Sequence, residues 1–334
     1  SLAPTNKQLF RSHKNLIITV AIKRLHLLSQ HSYVEVSKMR PVQLVQNGFC
    51  DPIRVFVKNE PHKLAKLSLK RYRLIMSVSI VDQIIERLLL TPTNEATILA
   101  NAKNQEIPIA IGLDLVSSKG VNSFLDRIKR WKRNENDVLT GSDASWFDWC
   151  PSMENMLFNA DVRKFQTSGD SADLDFWYAM MLNWYYIMSN SVLALSDGKL
   201  YEQMIPGQQK SGRYGTAQDN SHIRCGLAVH NGSDLNRFIA GGDDALENRR
   251  KGDVSYSKIP GWKFEFEDKP SEVEFCSAIW DIAISSKTSL NVGKKLYNFF
   301  SSSMSKEQLA ALLEELQAHA GMDKRIVDAL SLLD

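Results

Sequence analysis

The stretch FIAGGDDALE, residues 238–247, decides how this chain reads. Its apolar flanks, 237–240 and 245–247, predict two strands joined by a tight turn at 241–244, with two carboxylates at the tip. Gly241 and Gly242 allow the positive φ angles that such a turn can need. Taken alone, Gly-Asp-Asp reads as a surface turn, because Asp and Gly dominate turns. A second acidic pair, Asp143 and Asp148, lies upstream in GSDASWFDWC, residues 141–150, behind a strand predicted at 138–140. Asp143 by itself reads as a helix N-cap. Between the two pairs stands SGRYGTAQDNS, residues 211–221, which enters a helix predicted over 214–229. If the two strands are neighbours in one sheet, Asp143, Asp243 and Asp244 converge at one edge. Such an all-oxygen set suits Mg²⁺. Two ions roughly 3.5–4 Å apart would support in-line phosphoryl or nucleotidyl transfer.

The rest of the chain is that of a folded protein. Its 334 residues are 43% hydrophobic and 24% charged, with no internal repeat and no low-complexity run. That length fits two or three subdomains. The net charge of +3 hides an asymmetry. Residues 1–75 hold fourteen Lys and Arg against three acids, a local +11 that leaves −8 elsewhere. A basic part facing an acidic centre suits a phosphate-rich ligand held near metals, although a solvated basic surface would look the same. Cys50, Cys150, Cys225 and Cys276 are far apart and form no zinc pattern, and unpaired thiols fit a reducing compartment. The longest apolar runs, such as 16–22, are too short to span a bilayer, and no signal-peptide pattern opens the chain. Ser1 in place of methionine is the mark expected of a processed or excised piece.

Periodicity predicts helices at 15–28, after Ser79, at 174–188, from Ser305 and after Asp323. Ser79 and Asp82 form a capping box ahead of a buried face of Ile80, Ile84, Ile85, Leu88 and Leu89. Strands are expected at 53–57, 72–76, 263–266 and 273–279, and a hairpin at 192–203. Pro151 suits the first turn of a further helix.

In order and spacing, three elements resemble motifs A, B and C of viral RNA-dependent RNA polymerases. These are Asp143-x₄-Asp148, Ser211-Gly212-x₃-Thr216-x₃-Asn220-Ser221 and Gly242-Asp243-Asp244. VFVKNEPHK at 55–63, YRLIMS at 72–77 and the lead-in Gln209-Lys210-Ser211-Gly212 are similar to the positive-strand sobemovirus and luteovirus-like group. The resemblance implies an α+β right-hand fold of fingers, palm and thumb, with an antiparallel palm sheet backed by helices. It implies fingers at 1–136, palm at 137–150, a fingers insertion at 151–205, palm again at 206–282 and a small thumb at 283–334.

The same resemblance implies roles. Asp143, Asp243 and Asp244 would be catalytic and hold two Mg²⁺ ions, with Mn²⁺ able to substitute. Asp148 and Asn220, with Ser211, Gly212 and Thr216, would bind the nucleotide and read its ribose. A 2′-hydroxyl both donates and accepts, and a carboxylate beside an amide satisfies both directions. Lys58, Lys63, Arg71 and Arg73 would bind the triphosphate, with Lys58 and Arg73 favoured, and Lys66 and Lys70 equally readable as solvated charges. Gly261-Trp262-Lys263 resembles motif D, where Lys263 would protonate pyrophosphate, with Lys258 as a competitor. Phe275, Cys276 and Ser277 resemble motif E, a hairpin supporting the RNA product end. Motif G has no match in residues 1–50.

The function expected is RNA-dependent RNA synthesis replicating a viral genome. The implied partners are template and product RNA, NTPs and other viral replication proteins. No integral membrane segment is expected, and the implied location is the host cytoplasm, in membrane-associated replication complexes. Two alternatives stay open: an RNA-binding module without turnover, and another two-metal nucleic-acid enzyme such as a nuclease or a DNA-synthesising polymerase.

Overall fold

Alternating apolar residues build the sheets, and residues spaced three and four apart build the helices that cover them. The computed structural model describes residues 6–58, 68, 72–132, 137–250, 259–269, 271–290 and 297. Its helices are α1 (Asn6–Gln30), α2 (Tyr33–Val36), α3 (Pro41–Gln46), α4 (Ile80–Ala102), α5 (Ser118–Trp131), α6 (Met153–Phe165), α7 (Ser171–Ser189) and α8 (Thr216–His230). The strands are β1 (Ile53–Val57), β2 (Leu74–Ser77), β3 (Asp137–Ala144), β4 (Val192–Leu195), β5 (Leu200–Glu202), β6 (Phe238–Gly241), β7 (Asp244–Arg250), β8 (Phe264–Lys269), β9 (Glu272–Phe275), β10 (Ala278–Asp281) and β11 (Ser286–Ser289). Among the described residues no helix is long and apolar enough to cross a membrane.

The chain divides into two compact units. One comprises Ser1–Thr97 with Trp146–Ile223, the other Ile98–Ser145 with Arg224–Asp334. The first carries a mixed sheet in the order β2-β1-β4-β5. Here β1 runs antiparallel to β2 and parallel to β4. Its helix α4 begins as expected, with Ser79 Oγ accepting from Asp82 N at 3.1 Å.

The second unit carries the antiparallel sheet β6-β7-β3-β8 and the antiparallel β11-β10-β9. Helix α5 shows why its residues fold as they do. Ser117 Oγ accepts from Gly120 N at 3.1 Å, and Lys129 and Arg130 sit in the last turn, where they oppose the helix dipole. Phe124, Leu125, Ile128 and Trp131 form one buried face. They pack on Leu139, Ile239 and Leu246 of the four-stranded sheet and on Val273, Phe275 and Trp280. Burying each such side chain contributes about 1.5–3 kcal/mol. The alternate residues Phe238, Ala240 and Ala245 face Ala228 of α8 instead, with Phe264 and Phe266 beside them. The sheet is therefore covered on both faces. Residues 108–110 also pair with its β6 edge, through Ala110 N to Ala240 O at 2.7 Å and Ala240 N to Pro108 O at 3.0 Å.

Two expectations change. The single strand at 273–279 is in fact β9 and β10, joined at Cys276 and Ser277, whose φ values are +49° and +57°. Both are left-handed, as a two-residue hairpin turn requires, and neither is glycine, so the apolar run hid the break. Pro151 also lies outside α6, which Ser152 caps by accepting from Asn155 N. Lys63, Lys66, Lys70, Arg71, Lys258 and the helices expected from Ser305 and after Asp323 lie outside the described residues.

Candidate active site

In the second unit the strand register brings the acids together. The β3–β7 pairing runs from Asp137↔Arg250 to Ser142↔Ala245, so the next pair in line is Asp143 with Asp244. On the other side of β3, Asp143 pairs with Glu265 of β8. Residues directly opposite on antiparallel strands point to the same face. Asp143, Asp244 and Glu265 therefore share one face, the one that carries Leu139 and Leu246. Asp243 lies exposed at the tip of the β6–β7 turn.

Burial, followed by repulsion from Asp243 and Glu265, raises the Asp143 carboxyl above the usual range, while Arg224 opposes the shift. Asp244 is pushed up to about 6 by burial and then by Asp243 and Asp143, against a hydrogen bond donated by the Cys276 backbone N–H. Arg224 is buried in α8 and acts from the opposite face. Its Nη2 donates to Ser142 Oγ, and its guanidinium lies 4.9 Å from the centre of the Phe264 ring.

The turn explains both glycines, but differently from the expectation. Only Gly242 has a positive φ, +73°. Gly241 is required by close packing, since a Cβ there would lie 2.6 Å from Cys276 Sγ and 3.3 Å from the Phe275 ring. Gly241→Ala should therefore displace the β9–β10 turn and lower stability by about 1–3 kcal/mol. Chemical denaturation measures this, and an unchanged midpoint would contradict the packing role.

The β9–β10 turn is thus part of the acidic site. Phe275 points inward, stacking on Phe124 at 5.8 Å, and is a core residue. Ser277 is the exposed side chain of the turn. Burial, then Asp244 and Asp243, pushes the Cys276 thiol up to about 12, so it stays protonated. All four cysteines are free thiols. Lys263 lies just before β8, its carbonyl accepting from Ser145 N at 2.9 Å, and its side chain is exposed.

Among the described residues no three His, Cys, Asp or Glu side chains already surround one ion position. The donor set nevertheless fits a hard divalent cation. It is all carboxylate, and its members repel one another, which a cation would relieve.

The first unit holds the remaining expected residues. Asp148 sits in a short turn that follows Trp146, whose φ is +61°. Its carbonyl accepts from Gln209 N at 2.7 Å, and its Oδ1 accepts from Asn220 Nδ2 at 3.3 Å. Asn220 is buried, on the first turns of α8. Ser211 and Gly212 attach to the edge strand β2. Met76 N donates to Ser211 Oγ at 3.3 Å, and Gly212 N donates to Met76 O at 3.0 Å. A Cβ on Gly212 would lie 2.3 Å from that oxygen. Thr216 Oγ1 lies 3.0 Å from both the Lys210 and Arg213 carbonyls, which ties the loop to the helix start. Lys58 and Arg73 close the β1–β2 hairpin, Lys58 N donating to Arg73 O at 2.8 Å.

Glu265 and Arg224 went unnoticed in the sequence, while Gln209 and the fully buried Lys210 stood only in a lead-in to which no role was given. Burial pushes Lys210 down to about 7, and its ammonium lies within 3.3 Å of Gln203 Oε1 and the carbonyls of Gly207 and Gln208.

The family model described as viral RNA-directed RNA polymerase matches residues 1–127 and 146–267. The chain belongs to this family. The end of β3 that carries Asp143 falls between the matched stretches, so its place in the site rests on the register. Protein P1-P2 of Turnip yellows virus (isolate FL-1) is 37% identical over 298 residues, covering 83% of this chain and 27% of that protein. Replicase polyprotein P2AB of Southern bean mosaic virus (isolate Bean/United States/Arkansas) is 39% identical over 246 residues, covering 74% and 24%. The chain thus spans about a quarter of the length of these curated relatives. In fold it is similar to the crystal structure of the RNA-dependent RNA polymerase of a human picorbirnavirus. The TM-score is 0.56 at 15% identity, covering 77% of this chain and 51% of that one.

Proposed function

We propose that this chain is the catalytic portion of an RNA-dependent RNA polymerase that replicates a viral RNA genome. The observation that carries the reading is the strand register, which puts Asp143 opposite Asp244 beside the Gly242-Asp243 turn, in a chain of this family. Asp143, Asp243 and Asp244 would hold divalent ions, Mg²⁺ with Mn²⁺ as a substitute, which would activate the 3′-hydroxyl and neutralise charge on the departing group. In the reaction, the 3′-oxygen of the RNA bonds to the α-phosphorus of a templated NTP. The bond to pyrophosphate breaks, and the hydroxyl proton leaves to solvent.

The residues of the chain supply position and charge around that step. Lys58 and Arg73, with Lys63 and Arg71 between them in sequence, bind the triphosphate. Lys263 gives a proton to pyrophosphate. Asp148 and Asn220 accept from and donate to the ribose 2′-hydroxyl. Ser211, Gly212 and Thr216 hold the loop that leads into Asn220. The β9–β10 turn steadies Asp244 through the Cys276 N–H and offers Ser277 toward the product end.

Template-directed extension tests this reading. With Mg²⁺ or Mn²⁺, the protein should incorporate NTPs opposite an RNA template and prefer them to dNTPs. RNA retention without incorporation would favour a binding module. Preferential use of dNTPs would overturn the ribose assignment.

A further inference from the structure

We infer that Gln209 is a specificity-positioning residue: it sets which side of the Asn220 amide faces Asp148, and so which hydrogen bonds a ribose 2′-hydroxyl can find. The inference rests on the ribose role proposed for Asp148 and Asn220, and it concerns what gives that pair its polarity.

A donor that cannot be reversed stands at the start of this chain of bonds. A guanidinium only donates hydrogen bonds. Arg213 is fully buried and held by Glu86, its Nε donating to Glu86 Oε1 at 2.9 Å. Its Nη1 lies 3.1 Å from the Gln209 side chain, so the Gln209 atom facing it must be the acceptor Oε1. That choice turns Gln209 Nε2 toward Asn220, where it donates to Oδ1 at 3.0 Å, with Thr216 O at 3.5 Å. Asn220 must then present Nδ2 to Asp148, and it donates to Oδ1 there at 3.3 Å.

The orientation of two amides is usually a matter of fitting a network. Here a buried cation at one end and an acceptor-only carboxylate at the other require the same orientation at every link. Gln209 also fixes the backbone of Asp148, donating from its own N to the Asp148 carbonyl at 2.7 Å. Gln209 itself is buried, so water does not compete for these bonds. The result is an amide N–H side held next to a carboxylate, the donor–acceptor pair that a 2′-hydroxyl needs.

The residue that reverses the chain is glutamate. In Gln209→Glu the carboxylate still accepts from Arg213, so the buried cation keeps its partner. Its second oxygen now faces Asn220 and can only accept. Asn220 then stands between two acceptor-only carboxylates, and each turn of Nδ2 toward the new one leaves Asn220 Oδ1 against Asp148 Oδ1, two acceptors with no hydrogen between them. Gln209→Met removes both side-chain bonds without adding charge, leaving Asn220 steered by Asp148 alone.

The test is template-directed incorporation by the full chain, with kcat and KM measured separately for each NTP and its matching dNTP. Gln209→Glu should lower the NTP-over-dNTP preference about tenfold, the worth of a lost hydrogen bond to the 2′-hydroxyl. The change should fall on NTP parameters while dNTP incorporation stays measurable. Gln209→Met should lower the preference by a smaller factor. Asn220→Ala is run alongside. If Asn220→Ala leaves the preference intact, the ribose reading itself fails. If Asn220→Ala lowers it and both Gln209 variants match the parent protein, the relay through Gln209 is wrong. Loss of the folded state in both Gln209 variants would make the residue structural and overturn the proposal.

Discussion

Asp143→Asn and Asp243→Asn should each lower NTP incorporation by roughly 10³-fold or more, while RNA binding and fold survive. The size follows from what the substitution removes. An amide of the same shape keeps one acceptor oxygen but loses the charge that would bind a divalent ion. Removing a single preorganised electrostatic group typically costs 10²–10³ in rate, and removing a charged ligand of a two-metal site reaches further. Survival of the fold follows from the site itself. Asp143 and Asp243 are exposed at a strand end and a turn tip. The Asp143 carboxyl is raised by the partial burial of its inner side and by its acidic neighbours, so its charged form strains the edge rather than holding it. Neutralising either acid should leave the melting temperature unchanged or slightly higher in metal-free buffer. Added Mg²⁺ should raise the melting temperature of the parent protein more than that of the variants, because an ion that binds the folded state stabilises it by mass action. Gel extension assays, RNA filter binding and thermal melts read the three expectations separately. Incorporation within tenfold of the parent protein would remove Asp143 or Asp243 from the metal assignment.

How much of this was legible beforehand depended on whether the determining contact was local. The β6–β7 hairpin was readable because its period-two flanks and its Gly-Asp turn lie within ten residues. Helix α4 was readable from Ser79, Asp82 and the apolar spacing that follows them. The convergence of Asp143 with Asp244 was readable only as a condition, because pairing between strands a hundred residues apart leaves no local trace. Glu265 was invisible for the same reason: its acidity has meaning only once β8 pairs with β3. Gly241 was read as a turn residue, when what forbids a side chain there is Cys276 Sγ from another hairpin. Periodicity missed the break in that hairpin, which only the motif E resemblance implied, because Cys276 and Ser277 adopt left-handed backbone angles without the glycine or asparagine that would announce them. The orientation of Asn220 was furthest from view. It follows from Glu86 through Arg213 and Gln209, and Glu86 stands 127 residues from Arg213.

The same buried charges give the largest expected effect on stability. In the first unit Arg163, Arg213, Glu86 and Asp219 are all fully buried and balance, two positive against two negative. Arg163 Nη2 donates to Asp219 Oδ1 at 2.7 Å, its Nη1 to Thr93 Oγ1 and Asn94 Oδ1, and its Nε to Tyr185 Oη at 2.9 Å. Tyr185 in turn donates to Asp219 Oδ1 at 2.8 Å. Arg213 Nη2 stands 2.7 Å from Glu86 Oε1 and 3.4 Å from Asp219 Oδ2. Burial alone would lower the Arg163 pKa, yet Tyr185 and Asp219 hold it above its ordinary value, so the cation stays charged. Asp219→Asn keeps the shape and removes one charge, leaving two buried arginines against Glu86. Breaking a buried pair from one side costs about 3–5 kcal/mol, because the remaining charge has no compensation. The urea midpoint of the first unit should fall accordingly. Adding Arg213→Met to Asp219→Asn restores one cation to one anion, so the double variant should be more stable than the sum of the two single losses predicts, a coupling of at least about 1 kcal/mol. Strict additivity would mean that the four groups do not act as one network. A network of this kind would then be no basis for fixing Gln209 or the amide it turns toward Asp148.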